Sequence, residues 1–177
     1  MRQIGVICEG KECNFEKIDR KVVRGIGLHD GKLIMLYSAK YGNYSFPGGG
    51  MKKDESALDC LKREVNEETG YVIKNISKRP IGYIDESKMN GNKFFTQRTS
   101  YYFYEIDHVE RAHKEKHEKI YETVLISLDE ALEKNSQIDS KICFVQREVI
   151  VLNLLKEEYN ERIQSSKRFW WKFNHSS

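Results

Sequence analysis

"FPGGGMKKDESALDCLKREVNEETGY", residues 46–71, joins three consecutive glycines to a segment with helical periodicity, and its reading decides the fold. Ser56-x-x-Asp59 is a capping-box pattern that predicts a helix N-terminus at about Ser56. Gly70 predicts its end, because glycine adopts the left-handed C′ conformation at no steric cost. Between these signals Leu58, Leu61 and Val65 follow helical spacing and form the expected core stripe. Glu64, Glu67 and Glu68 fall within little more than one turn. At roughly 100° per residue, Glu64 and Glu68 lie about 40° apart, with Glu67 about 60° from Glu64 on the other side. The three share one flank beside the stripe, with Lys62 and Arg63 expected to point elsewhere.

Like charges at helical neighbour spacing repel one another and weaken the helix. Carboxylates converging at the edge of a core are what a hard divalent cation needs, since Mg²⁺ takes oxygen ligands and uses substrate phosphates to complete its shell. The same residues also read as a solvated acidic helix paired with nearby lysines. The glycines favour the first reading: "PGGG" after a strand lets backbone approach a ligand, offering carbonyls and amides to metal or phosphate.

Gly49, Glu55, Arg63-Glu64, Val65, Glu67-Glu68, Gly70 and Tyr71 together resemble the Nudix box, GX5EX7REUXEEXGU, with every fixed position present. One soft departure is the final position, usually aliphatic and here Tyr71. The resemblance implies a metal-dependent hydrolase, using Mg²⁺ or Mn²⁺, that cleaves a nucleoside diphosphate linked to another moiety with water as nucleophile. Carried over residue by residue, Glu64, Glu67 and Glu68 would be metal ligands, joined by the carbonyl of Gly48. Glu55 and Arg63 would be structural, as would Gly49 and Gly70. Glu64 and Glu67 are the catalytic candidates within the box. Glu122, in "ETVLISLDEAL", stands where the family often adds a ligand or base, with Glu118 second to it. The alternative is a non-catalytic nucleotide- or RNA-binding protein on the same fold; such proteins tend to lose box carboxylates, and this chain keeps all of them.

"KVVRGIGLHDGKLIMLYS" predicts two strands about an Asp30-Gly31 turn, and Asn90-Gly91 a second hairpin between Ile81–Ile84 and an aromatic strand from Phe94 to Ile106. Residues 111–119 read as a charged loop. Ser127-x-x-Glu130 opens a short helix, and Ile142, Val145, Val149, Leu152 and Leu155 mark a long terminal one. These elements predict a mixed α/β class with helices on both sides of a sheet. With the resemblance, the expectation becomes a Nudix-type α/β/α sandwich spanning residues 1–163, its core starting at about residue 21. Tyr41, Tyr44 and Phe46 line the approach to the glycines, where Tyr44 and Phe46 are candidates to stack on a base; core packing is the favoured reading for Phe46 and an equal one for Tyr44. Arg24 and Arg98, on predicted strands, are candidate phosphate or ribose contacts, with a solvent-facing side chain the favoured reading for both. None of three substrate signatures is present: Pro80 comes too early for the ADP-ribose pattern, "YSAKYGNYSFPGGG" lacks the arginine of the coenzyme A pattern, and the dinucleoside polyphosphate tyrosine has no counterpart.

With 39% hydrophobic and 32% charged residues the chain of 177 is ordinary for a folded protein and is not disordered. No run of 18 apolar residues occurs, so no membrane span is expected, and the N-terminal apolar stretch is too short for a secretory signal. Four scattered cysteines lack metal-ligand or redox spacing and read as free thiols of a cytoplasmic protein. A net charge of +3 does not by itself imply nucleic acid. Residues 164–177 form a basic, aromatic tail, "KRFWWKF", whose mixture suits single-stranded nucleic acid; packing on the domain or across a homodimer is the favoured reading.

Overall fold

Asp30 (φ 51°) and Gly31 (φ 76°) both adopt the left-handed conformation of a tight hairpin turn. They join β2 (Glu16–His29) to β3 (Lys32–Ser38), as their sequence predicts. The computed structural model describes residues 1–9, 16–90, 93–110, 121–139 and 142–164. Within these, β1 (Gln3–Glu9) precedes the hairpin; β4 (Asn43–Ser45), β5 (Gly48–Gly50) and α1 (Ala57–Thr69) follow it. Then come β6 (Tyr71–Ile76), β7 (Gly82–Asn90), β8 (Lys93–Val109), β9 (Tyr121–Ile126), α2 (Leu128–Ser136) and α3 (Cys143–Gln164).

The sheet runs β1-β7-β8-β2-β3-β4, with β5 pairing β2, β6 pairing β8 and β9 pairing β3. β2 and β8 lie parallel from Glu16/Lys93 to Gly27/Tyr104, whereas β7 and β8 close antiparallel at Asn90/Lys93, around the predicted Asn90-Gly91 turn. Both strands outrun the sequence reading of that hairpin. β1, which lies before the expected core, pairs in parallel with β7 and extends the sheet edge. The charged segment 111–119 and the tail from residue 165 lie outside the described residues.

Alternation along the strands builds two cores. On β3, Leu33 and Met35 enter the core under α2 and α3, while Ile34 turns to the other face with Val23, Leu61 and Val65 of α1. The expected α/β/α layering is therefore the observed one, and among the described residues no closed barrel forms. Near-complete burial of α1's inner face anchors the helix: Cys60, Leu61 and Val65 are all 0% exposed. Ser56 caps it through Asp59 N–H at 3.1 Å, and Gly70 (φ 76°) ends it, both as expected. Leu58 departs from expectation. Placed in the stripe by its angle, it is 38% exposed, because it sits on the first turn, where Ala57 already borders an open groove.

A large-to-small test separates the two leucines. Leu61→Ala should cost about 2–5 kcal/mol in urea unfolding, and Leu58→Ala no more than about 0.5 kcal/mol. Equal losses would contradict the burial described.

Candidate functional site

The glycine loop is shaped by close backbone approach. Gly48 has φ 141°, and a Cβ there would stand 2.1 Å from the Val23 carbonyl oxygen, so any side chain is excluded. A Cβ on Gly49 would meet the Glu64 carboxyl carbon at 2.4 Å. The space that glycine leaves open is filled by a box carboxylate. Gly25 N–H donates to the Pro47 carbonyl at 2.8 Å, and Gly48 N–H donates to Glu68 Oε2 at 2.7 Å.

Arg63 stands at the centre of the carboxylates. Its Nε and Nη2 donate to the two Glu55 oxygens at 2.8 and 3.0 Å. Its Nη1 donates to Glu64 Oε1 at 2.7 Å and Glu67 Oε2 at 3.0 Å. Nη2 also reaches the Gly50 carbonyl at 3.5 Å. The expectation that Arg63 points elsewhere is therefore corrected, whereas its orienting role through charge-assisted bonds is present. The physical reason is helical: Arg63 and Glu67 are i,i+4 neighbours, and a long guanidinium reaches across the flank. Lys62, by contrast, is exposed.

These contacts leave the side chains 13% (Glu64), 14% (Glu55) and 28% (Glu67) exposed. The hydrogen bonds from Arg63, followed by the Lys52 N–H at 2.9 Å, hold the Glu55 carboxyl down at about 2. Desolvation beside Glu55 pushes the Cys60 thiol up to about 12, which makes it an inert core group and not a nucleophile. Among the described residues, no three His, Cys, Asp or Glu side chains stand close enough together to coordinate a metal ion. Glu64 and Glu67 converge on Arg63, and Glu68 on the loop.

Other sequence candidates disperse. Thr123 of β9 donates its hydroxyl to the Glu68 carbonyl at 3.3 Å, so Glu122, next along the strand, lies on the opposite sheet face, exposed and paired with Tyr37. Its expected place beside the carboxylates is thereby corrected; Glu118 lies outside the described residues. Phe46 is 0% exposed with its ring edge against Tyr101 at 6.2 Å, so it is a core residue and not a stacking platform. Tyr44 stays half-buried, its ring 5.0 Å from that of Tyr37, with Lys134 Nζ 3.4 Å from its hydroxyl. Arg98 is held in a bidentate pair with Asp85 at 2.7 and 2.9 Å and lies over the Tyr83 ring. Arg24 does not face solvent or a ligand. It turns inward to the Phe46 carbonyl and to Glu148 of α3.

Sequence reasoning passed over Glu148, Arg147 and Glu86. Arg147 Nη1 donates to both Glu86 oxygens at 3.1 and 3.0 Å, and Glu148 is 0% exposed. Two charged residues within the apolar repeat of α3 were the available signal.

With the box built on its loop and helix, likeness to known proteins takes on meaning. A family model described as a NUDIX domain matches residues 19–145. The chain belongs to the NUDIX family. The fold is shared with a NUDIX hydrolase from Nitrosomonas europaea, at a TM-score of 0.57 and 17% identity over 80% of this chain and 93% of that one. An ADP compounds hydrolase superposes at a TM-score of 0.55 and 17% identity, covering 80% of this chain and 75% of the other. In sequence, 78 residues are 31% identical to the m7GpppN-mRNA hydrolase of Saccharomyces cerevisiae, covering 42% of this chain and only 7% of that protein's length. Among the described residues no helix is long and apolar enough to cross a membrane. Cys60 is a free, buried thiol.

The NUDIX box also predicts a pH signature. The Glu55 carboxyl is depressed from 4.5 to about 2, so its stabilisation is complete above about pH 4.5 and lost as pH falls towards 2. Denaturant unfolding of Glu55→Gln should show a deficit against the unsubstituted protein that is constant at neutral pH and shrinks between pH 4.5 and 2. A deficit independent of pH would deny the Glu55–Arg63 ion pair.

Proposed function

We propose that the protein is a divalent-metal-dependent hydrolase that cleaves the diphosphate linkage of a nucleoside diphosphate linked to another moiety. One observation carries this reading: Glu64 and Glu68 both reach from a single helix flank into the glycine loop, with Glu67 beside them on Arg63. The chemistry of the donors fits the group, which the carboxylates would hold by moving together from their places on Arg63 and the loop. The donors are carboxylate oxygens with the Gly48 carbonyl, the hard oxygen ligands that Mg²⁺ or Mn²⁺ takes, and the missing Cβ at Gly49 leaves room for the Glu64 carboxylate. When bound, the cation would neutralise diphosphate oxygens and lower the pKa of water.

The chain's own residues supply the rest. Glu64, Glu67 and Glu68 would hold the cation, and Glu64, or a residue of a later loop, would take the proton of the attacking water. Glu55 fixes Arg63 through two parallel bonds, and Arg63 in turn sets the rotamers of Glu64 and Glu67 before substrate arrives. Tyr44 and Arg98 are the remaining candidates for base and phosphate contacts. The partial likeness to an mRNA hydrolase and the shared fold of an ADP compounds hydrolase support including capped RNA and ADP derivatives among the substrates tested. A reducing, cytoplasmic setting agrees with the free thiol of Cys60.

The test is a panel of nucleoside triphosphates and their oxidised forms, ADP-ribose, nucleotide sugars, dinucleoside polyphosphates and capped RNA, with Mg²⁺ or Mn²⁺ and products identified by mass. Metal-dependent cleavage at a diphosphate is expected. Glu67→Gln should lower kcat/KM by about 100-fold or more while the thermal midpoint stays in place, because a ligand matters at least as much as the groups behind it. Binding without turnover across the panel would replace this reading with a nucleotide- or RNA-binding role.

A further inference from the structure

Between α3 and the sheet lies a chain of four charged groups that the box chemistry does not use. Glu86 accepts from Gln97 Nε2 at 2.8 Å, from the Thr99 hydroxyl at 3.0 Å and from Arg147. Arg147, 4% exposed, donates to Glu148 Oε1 at 3.3 Å. Glu148 and Arg24 then close on the backbone of a single residue. Phe46 N–H donates to Glu148 Oε2 at 3.2 Å, and the Phe46 carbonyl accepts from Arg24 Nη1. Arg24 Nε stands 3.8 Å from Glu148 Oε1, beyond hydrogen-bond reach, and has no other partner among the described residues. The guanidinium leaves one buried donor unpaired in order to aim another at the loop.

Stability does not explain this arrangement. Well-packed apolar residues in place of a buried ion network commonly hold a fold as well or better. Such networks are best understood by what they position. Here both main-chain hydrogen-bonding groups of Phe46, the residue immediately before Pro47 and Gly48, are gripped, the carbonyl from β2 and the N–H from α3. Pro47 and Gly48 are themselves held by Gly25 N–H and Glu68. The hydrogen bond from Phe46 to Glu148 ties the loop backbone to the C-terminal helix.

We propose that Arg24 and Glu148 are positioning residues that clamp the Phe46 backbone from both sides and so fix the glycine loop against the box helix, making the docking of α3 a determinant of metal affinity at Gly48. The part concerning metal rests on the function proposed above; the clamp itself does not. The outer support of a ligand group commonly changes metal affinity by about 10–100-fold, and both residues act at that remove, through backbone they hydrogen-bond. The clamp also makes the site sensitive to α3: a shift of that helix reaches the loop directly through Glu148.

Two readouts test this on the full chain. Amide hydrogen exchange of the peptide covering residues 44–51 is compared in the unsubstituted protein, Arg24→Met, Glu148→Gln and Leu33→Ala. Leu33 is a fully buried β3 residue, off α3 and outside the clamp, whose truncation loosens the core. Mn²⁺ affinity is measured on the same four proteins by titration calorimetry. Arg24→Met and Glu148→Gln should each raise loop exchange by about 10-fold and weaken Mn²⁺ binding by about 10-fold, whereas Leu33→Ala lowers the melting temperature with loop exchange and affinity kept. Should Glu148→Gln fail to fold, Arg24→Met alone decides, since it removes one neutralising contact and keeps the volume. Selective loop exchange in a protein that binds no Mn²⁺ would uphold the clamp and overturn the metal reading. Unchanged loop exchange in Arg24→Met, or an equal rise in Leu33→Ala, would overturn the clamp.

Discussion

Everything at the candidate site depends on one guanidinium. Three glutamates within little more than a helical turn repel, and two like charges about 4 Å apart at an effective dielectric near 20 disfavour each other by about 4 kcal/mol. Arg63 supplies the compensating charge to two of them and to Glu55, and its own conformation is fixed by the bidentate bond to Glu55. The third, Glu68, is satisfied by Gly48 N–H. The acidic flank is therefore an ordered array of oxygen donors held at defined places.

That array has meaning only because the loop can approach it. Gly48 packs against the Val23 carbonyl and Gly49 against the Glu64 carboxylate, contacts that no side chain at either position would permit. Pro47 is anchored to β2 and the Phe46 backbone to β2 and α3. Helix, loop and terminal helix thus form one continuous set of hydrogen bonds around the glycines, and burial of Leu61 and Val65 under α1 keeps the set in register.

Local signals in the sequence were legible. The caps at Ser56 and Gly70, the Asp30-Gly31 turn, the Ser127 cap of α2 and the helical repeat of α3 each depend on residues a few positions apart, and each stands where expected. Nonlocal features were not. β1 pairs in parallel with a strand some eighty residues later and carries no turn signal of its own; β4 and β5 are three residues each. The partner of Arg24, Glu148, belongs to the last helix, and no spacing announces such a pair. Phe46 adjoins the glycines, but core packing, its favoured reading, is the one observed. Glu122 was misplaced by strand parity: one position decides the sheet face, and β9 turns Thr123 towards α1. Arg63 was in principle readable, since its i,i+4 relation to Glu67 was on the page of the sequence.

The most direct measurement is a calorimetric titration of Mn²⁺ into the substrate-free protein, repeated on the triple variant Glu64→Gln, Glu67→Gln, Glu68→Gln. Saturable binding that disappears in the triple variant, with the circular dichroism spectrum unchanged, is the predicted result. Binding that survives the triple substitution, or no binding in the unsubstituted protein, would contradict the assignment of these carboxylates as the metal-holding flank.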